Sequence, residues 1–223
     1  MSLDLDFAPV FASSNALLAG TVVTIEITLC ALVLSCILGL IIGVARINPQ
    51  RKVVYGIASA YVAVIRGTPL LVQLFIWYYG LPRVGVMLPS FFCGVIGLGL
   101  YSASYVSEIV RGAITSIDRG QNEAARSLGM SSKQAMMKII LPQAVVRMLP
   151  PLGNEFIALI KNSALVSLIT IHDVMQQGNT IISNTYRDLE TYLVIAVIYF
   201  VLTSITVTAL RYFEKRHHQR GEQ

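Results

Sequence analysis

An apolar run from Leu17 to Ala45, carrying one charge at Glu26, limits this chain more than any other feature. A helix needs about 20 apolar residues to cross the hydrocarbon core of a bilayer. The run follows the acidic Asp4 and Asp6 and is too long and wrongly flanked for a cleavable signal peptide, so it reads as a retained membrane span. Four more candidates follow. Val53 to Leu81 is interrupted at Arg66-Gly67-Thr68-Pro69, and Phe91 to Val110 is rich in Gly and Ser. Ala144 to Ile171 carries Pro150, Pro151, Asn154, Glu155 and Lys161, and Tyr192 to Leu210 is clean.

Composition agrees with these spans. Hydrophobic residues make up 55% of the 223 and charged residues only 13%, against about 25% charged in a soluble domain. The mean hydropathy is +0.67. A net charge of +5 could suggest nucleic acid, but that reading needs a clustered basic surface with stacking aromatics. Here the cations sit between apolar runs. Cys30, Cys36 and Cys93 lie in or beside such runs with no CxxC pair and no adjacent His, and they read as small buried residues. His172 and Asp173 fall in an expected outer loop and point only weakly to a metal, so no metal site is assigned.

Orientation follows from the cations. If the N-terminus is outside, the inner segments hold Arg46, Arg51, Lys52, Arg111, Arg119, Arg126, Lys133, Lys138, Arg147, Arg211, Lys215, Arg216 and Arg220. These are 13 of the 17 Lys and Arg residues. The opposite orientation would violate the positive-inside rule. The sequence therefore predicts an external segment 1–16, a membrane domain 17–216 and a basic inner tail 217–223. The polar stretch 111–143 is long enough for two short helices and too charged for lipid, and it falls on the inner side.

Within that stretch, Gln121 to Leu128 reads as a short helix ended by Gly129, a favoured residue just past a helix C-terminus. Ser131 or Ser132 can cap a second helix through Lys133 to Ile140, with Pro142 breaking the chain before the next span. The small Ala124 and Ala125 would let another protein approach closely, and Arg126, Lys133 and Lys138 could face an acidic partner surface. No GxxxxGK[ST] phosphate loop occurs, so any ATP must bind elsewhere.

Charged groups inside spans are costly and are functional candidates. If the fourth span starts near Gln143, Glu155 lies about 18 Å along it, roughly halfway through the bilayer. Asn154 and Lys161 are seven residues apart and share a helix face. Glu155 and Asn162 share the adjoining one, so this span carries a polar stripe suited to lining a cavity. Glu155 can meet an ammonium, and Asn154 or Lys161 a carboxylate. An internal pair of Glu155 with Lys161 or Arg66 is the structural alternative. Pro69 removes a backbone donor and Gly67 adds freedom, so the break at Arg66-Thr68 can either line a cavity or only kink the span, with Thr68 a second substrate candidate. Glu108 and Arg111, three apart, form a local pair.

Glu123-Ala124-Ala125, then Gly129, then Ile139-Ile140-Leu141-Pro142 resemble the EAA motif of the permease subunits of ATP-binding cassette importers. Three further stretches resemble the polar amino acid branch of that family: Arg66 to Leu70 with Gln73-Leu74, Glu108 to Ile114, and Pro150 to Glu155. The resemblance covers about Leu17 to Arg216. It implies an all-α integral membrane protein of about five transmembrane helices with the type I importer permease fold, in a bacterial inner membrane. Its EAA helix-turn-helix, through Glu123, Ala124, Ala125, Gly129, Ile139, Leu141 and Pro142, would dock on an ATPase subunit. Implied partners are two ATPase subunits that bind ATP and Mg, a second identical or similar permease, a periplasmic binding protein and a polar amino acid. Permeases of this branch with a characterised internal site use the Asn154-Glu155 region. The chain would itself have no ATPase site and no cofactor. An ion-coupled secondary transporter or channel would leave the EAA segment unexplained, and an intramembrane enzyme lacks a nucleophile with its base.

Overall fold

The computed structural model describes residues 5–221, with side chains through Tyr212. Asp4, the side chains of Lys215, Arg216 and Arg220, and residues 222–223 of the expected tail lie outside the described residues. The described residues contain helices and loops and no strand. In chain order the helices are α1 (Ala8–Ala12), α2 (Ser14–Ala45), α3 (Lys52–Gly67), α4 (Leu70–Phe75) and α5 (Ser90–Thr115), followed by α6 (Arg119–Ser127), α7 (Ser132–Ala135), α8 (Leu141–Asn162), α9 (Val174–Thr185) and α10 (Asp188–Gly221). Four stretches among the described residues are long and apolar enough to cross a membrane: Ser14–Ala45, Ser90–Thr115, Ser132–Ile169 and Asp188–Tyr212. Lys52–Gly67 and Leu70–Val84 are together long and apolar enough for a fifth span, broken between them. The break falls at Thr68-Pro69, where Pro69 adopts an extended conformation.

The chain divides into two compact units, both built from discontinuous segments. One comprises 1–33, 68–99 and 157–207, and the other 34–67, 100–156 and 208–223. In the first unit the expected external segment contributes to the core. Val10 of α1 is fully buried with Leu17, Val174 and Ile181, beside Val194 and Ile198. In the second unit Val106, Val110 and Ile114 pack with Ile140, Ala144 and Met148. Close approach there depends on Gly39 and Gly43 of α2, a small-xxx-small pair of the kind that lets membrane helices touch. A Cβ at Gly39 would lie 2.5 Å from Val106 Cγ1, and one at Gly43 would lie 2.8 Å from the Ser107 carbonyl oxygen.

Sequence expectations for the cysteines and for Pro142 are corrected: Cys30 and Cys36 are exposed, and only Cys93 is buried. Pro142 does not break the chain. The helix runs on from Ser132 to Ile169 because Met136–Ile140 forms a π-helical turn, whose wider hydrogen-bond spacing accommodates a residue without an amide donor. The second short helix is accordingly Ser132–Ala135 and not Lys133 to Ile140. Asp173 lies in the non-helical segment 171–173, where a loop was expected, and is fully buried in the first unit.

Asp173 caps α9, its Oδ1 accepting from the Gln176 amide at 3.0 Å, while Oδ2 is buried without a hydrogen-bond partner. The Val174 amide donates to Thr24 Oγ1 at 3.2 Å. Burial pushes the Asp173 carboxyl up from 3.8 to about 6, opposed in part by backbone hydrogen bonds from Gln176 and Met175. Its contribution to folding is full below pH 3.8 and is lost as pH rises through 6, leaving a deficit of roughly 3 kcal/mol at neutral pH. Asp173→Asn keeps the cap and removes the charge. Thermal unfolding should therefore show the variant more stable than the parent at pH 7.5, with the gap closing at pH 4. A gap of the same size at both values would overturn this account.

Candidate functional site

The second unit places its polar groups along one side of α5. Tyr101, Tyr105 and Glu108 recur at positions i, i+4 and i+7, a single helical face about 10 Å long at 1.5 Å per residue. The hydroxyls of Tyr101 and Tyr105 lie 3.0 Å apart. Next to Tyr101, the buried Ser102 donates its hydroxyl to Glu155 Oε1 at 2.8 Å, tying α5 to α8. Glu155 is half-buried, its neighbour Asn154 is exposed, and Glu155 makes no ion pair among the described residues. A carboxylate so placed keeps lone pairs free for a cationic group. The alternative of Glu155 paired with Arg66 is not what the structure contains.

Arg66 instead lies over the Tyr105 ring, 5.0 Å from its centroid, with its Nη1 4.0 Å from Glu108 Oε1. Glu108 is the hub of this end of the unit. Arg111 donates to Glu108 Oε2 from Nη2 at 2.7 Å and from Nε at 3.2 Å, as the local pairing predicted. Arg46 adds an ion pair to Oε1 and donates from Nε to Ser59 at 3.2 Å. Three guanidiniums thus surround one carboxylate. The hub needed Arg46, whose link to Glu108 spans 62 positions of chain, and that separation hid it from a reading of local spacing. Ser102, Tyr101 and Tyr105 were also missed, although the spacing of the two tyrosines with Glu108 marks one face.

The other two expected substrate residues belong to the first unit. Lys161 is exposed near the end of α8. Thr68 is exposed, and its hydroxyl and carbonyl oxygens accept from the buried Gln73 amide at 2.8 and 3.2 Å. No group of three His, Cys, Asp or Glu able to hold a metal occurs among the described residues.

The segment after α5 folds into a helical hairpin within the second unit. Asp118 caps α6 by accepting from the Gly120 amide at 2.6 Å. The helix closes with two reciprocal bonds, Met130 N–H to Ala125 carbonyl at 3.1 Å and Gly129 N–H to Arg126 carbonyl at 3.0 Å. These bonds form a Schellman motif, and they require the left-handed φ of +82° that Gly129 adopts. Ser131 then opens α7 with a capping box to Gln134. Glu123, Ala124 and Pro142 are exposed, Ile139 and Leu141 are half-buried, and Ala125 is buried. Ala124 can therefore meet a partner, whereas Ala125 is committed to the interior of the hairpin.

Comparison with known proteins agrees with this architecture. A family model described as "Binding-protein-dependent transport system inner membrane component" matches residues 35–219. The chain is 38% identical over 193 residues to the probable glutamine ABC transporter permease protein GlnM of Bacillus subtilis (strain 168), covering 86% of this chain and 89% of that relative. It is likewise 38% identical over 204 residues to the arginine transport system permease protein ArtQ of the same organism, covering 91% and 93%. A chain from the crystal structure of an amino acid ABC transporter with histidines superposes with a TM-score of 0.90 at 42% identity, covering 96% of this chain and all of that one. The chain therefore belongs to the family of binding-protein-dependent transport system inner membrane components, as a multi-pass membrane protein with the permease fold of an ABC transporter.

Proposed function

We propose that this chain is the permease subunit of an ATP-driven importer that moves a polar amino acid across a bacterial inner membrane by alternating access. The observation that carries the proposal is the exposed hairpin bearing Glu123 and Gly129 on a chain of this family. Two ATPase subunits bind ATP and Mg, and each docks on one such hairpin of a pair of permeases, identical or similar. A periplasmic binding protein delivers the amino acid. The N-terminus is periplasmic and the hairpin cytoplasmic, in keeping with the positive-inside distribution of Lys and Arg.

Inside the membrane, Glu155 takes the substrate ammonium, held in place by Ser102, and Asn154 faces the same cargo. Lys161 and Thr68 are candidates for the carboxylate. Arg66 braces the Glu108 hub in the state described here, and that engagement argues against a direct role in binding. Nucleotide-driven closure of the ATPases moves the hairpins, and the permease supplies the path and the selectivity. The ion-coupled alternative has no use for a capped, exposed hairpin.

Coupling is tested in liposomes holding the assembled complex. Gly129→Val forces a β-branched residue into a left-handed conformation and should abolish most substrate-stimulated ATP hydrolysis, with Glu123→Ala giving a smaller loss. Full activity of both variants, or uptake that persists without ATPase subunits, would sink the proposal.

A further inference from the structure

At the end of the second unit that carries Arg51 and Lys52, a groove of about 680 Å³ opens between the last turns of α2, the first turn of α3 and the Met136–Leu141 segment. Its walls are apolar, formed by Leu40 and Val44 of α2, Val54 of α3, and Met137 and Leu141. Leu40, Val44 and Val54 are each about half exposed, so the walls await a covering group. Its lining also includes the polar Asn48 and Arg51.

Arg51 and the adjacent Lys52 are exposed, and neither is in an ion pair with any described residue. The first turn of α3 begins at Lys52, where the leading amides have no intrahelical acceptor and the helix dipole is positive. Arg51 thus lines the apolar slot itself, and Lys52 and the first turn of α3, which adds Val54 to the lining, adjoin it in the chain. The apolar surface continues from the groove onto outward faces, Ile41 on α2 and Val53 and Ile57 on α3, all strongly exposed. In a membrane-spanning chain, such faces meet hydrocarbon.

We propose that this groove binds an anionic phospholipid, with an acyl chain against Leu40, Val44 and Val54 and the phosphate on Arg51, Lys52 and the first amides of α3. The geometry suits the depth of such a molecule. From Leu40 to Ala45, α2 rises about 7.5 Å, so a chain lying beside it leaves its phosphate level with the 46–51 loop. Basic pockets at the ends of spans are the usual sites for anionic headgroups. Soluble phosphate would answer the cations and leave the walls bare. A second protein chain would cover the walls but would need acidic groups opposite Arg51 and Lys52.

The test is native mass spectrometry of the full chain purified with its ATPase subunits, equilibrated with phosphatidylglycerol or phosphatidylcholine of matched chain length. The complex should retain phosphatidylglycerol in about 25-fold excess, and Arg51→Ala with Lys52→Ala should remove that excess, at about fivefold per charge. Val44→Trp, which fills the slot from an exposed position, should lower retention of both lipids. Equal retention of the two lipids, or an excess indifferent to all three substitutions, would overturn the proposal. So would displacement of the lipid by inorganic phosphate alone, or a crosslink from Val44→Cys to another protein subunit in the complex.

Discussion

Replacing Glu155 with glutamine is expected to raise the amino acid concentration needed for half-maximal stimulation of ATP hydrolysis by about 10- to 100-fold, with the complex still assembled. A hydrogen bond to a charged group contributes roughly 1.5–3 kcal/mol, and each 1.4 kcal/mol is about a factor of ten in affinity. Glutamine keeps an oxygen to accept from Ser102 Oγ, so the 2.8 Å link between α5 and α8 survives. What disappears is the charge that an ammonium would meet at mid-span. Radiolabelled amino acid binding to the complex in nanodiscs measures this directly. An unchanged half-saturation value would remove Glu155 from the substrate path.

Glu108→Gln should destabilise the folded permease by about 2–4 kcal/mol, less than the roughly 3–5 kcal/mol for breaking a fully buried pair because this cluster is only partly sheltered. The carboxylate is 22% exposed, and the Arg46 side chain is 12% exposed. Losing it leaves three guanidiniums facing one another with no anion between them. The more sheltered Arg46 carries most of the penalty, because Arg111 and Arg66 retain access to solvent. Equilibrium unfolding in detergent should show the loss. Arg46→Met added to Glu108→Gln should recover part of it, since two apolar or neutral groups tolerate burial better than one unpaired cation. A change below about 0.5 kcal/mol would mean that the cluster is solvated and contributes little.

The parts of this molecule that could be read from sequence are those whose cause is local. Apolar length marks the spans, Pro69 marks the break in the second, and Gly129 with Ser131 marks the two ends that meet in the hairpin. Each of these follows from a few adjacent residues. Arg46 and Glu108 meet only because α2 and α5 pack together, and that packing depends on Gly39 and Gly43, a four-residue spacing that was legible but not used. The loop at Asp173 was legible from its place between spans, but its burial was not. A polar residue between spans suggests solvent, but it caps α9 inside a packed unit, where the cap satisfies only one of its oxygens. Pro142 is a third kind of failure, since the usual rule against proline inside a helix holds for α-helical bonding and was defeated by a local change in that bonding. The positions of Asn154 and Glu155 along α8 follow from helix periodicity, whereas the serine that holds Glu155 comes from another span.

The π-helical turn at Met136–Ile140 has a rotational consequence. One residue more than an α-helical turn advances the phase of everything downstream by about 100°. The direction in which Asn154 and Glu155 point, relative to the hairpin that precedes them, is therefore set by five residues lying more than a dozen positions away. Azimuth, as well as depth, is written into this segment, and the aim of the polar stripe is fixed before α8 begins.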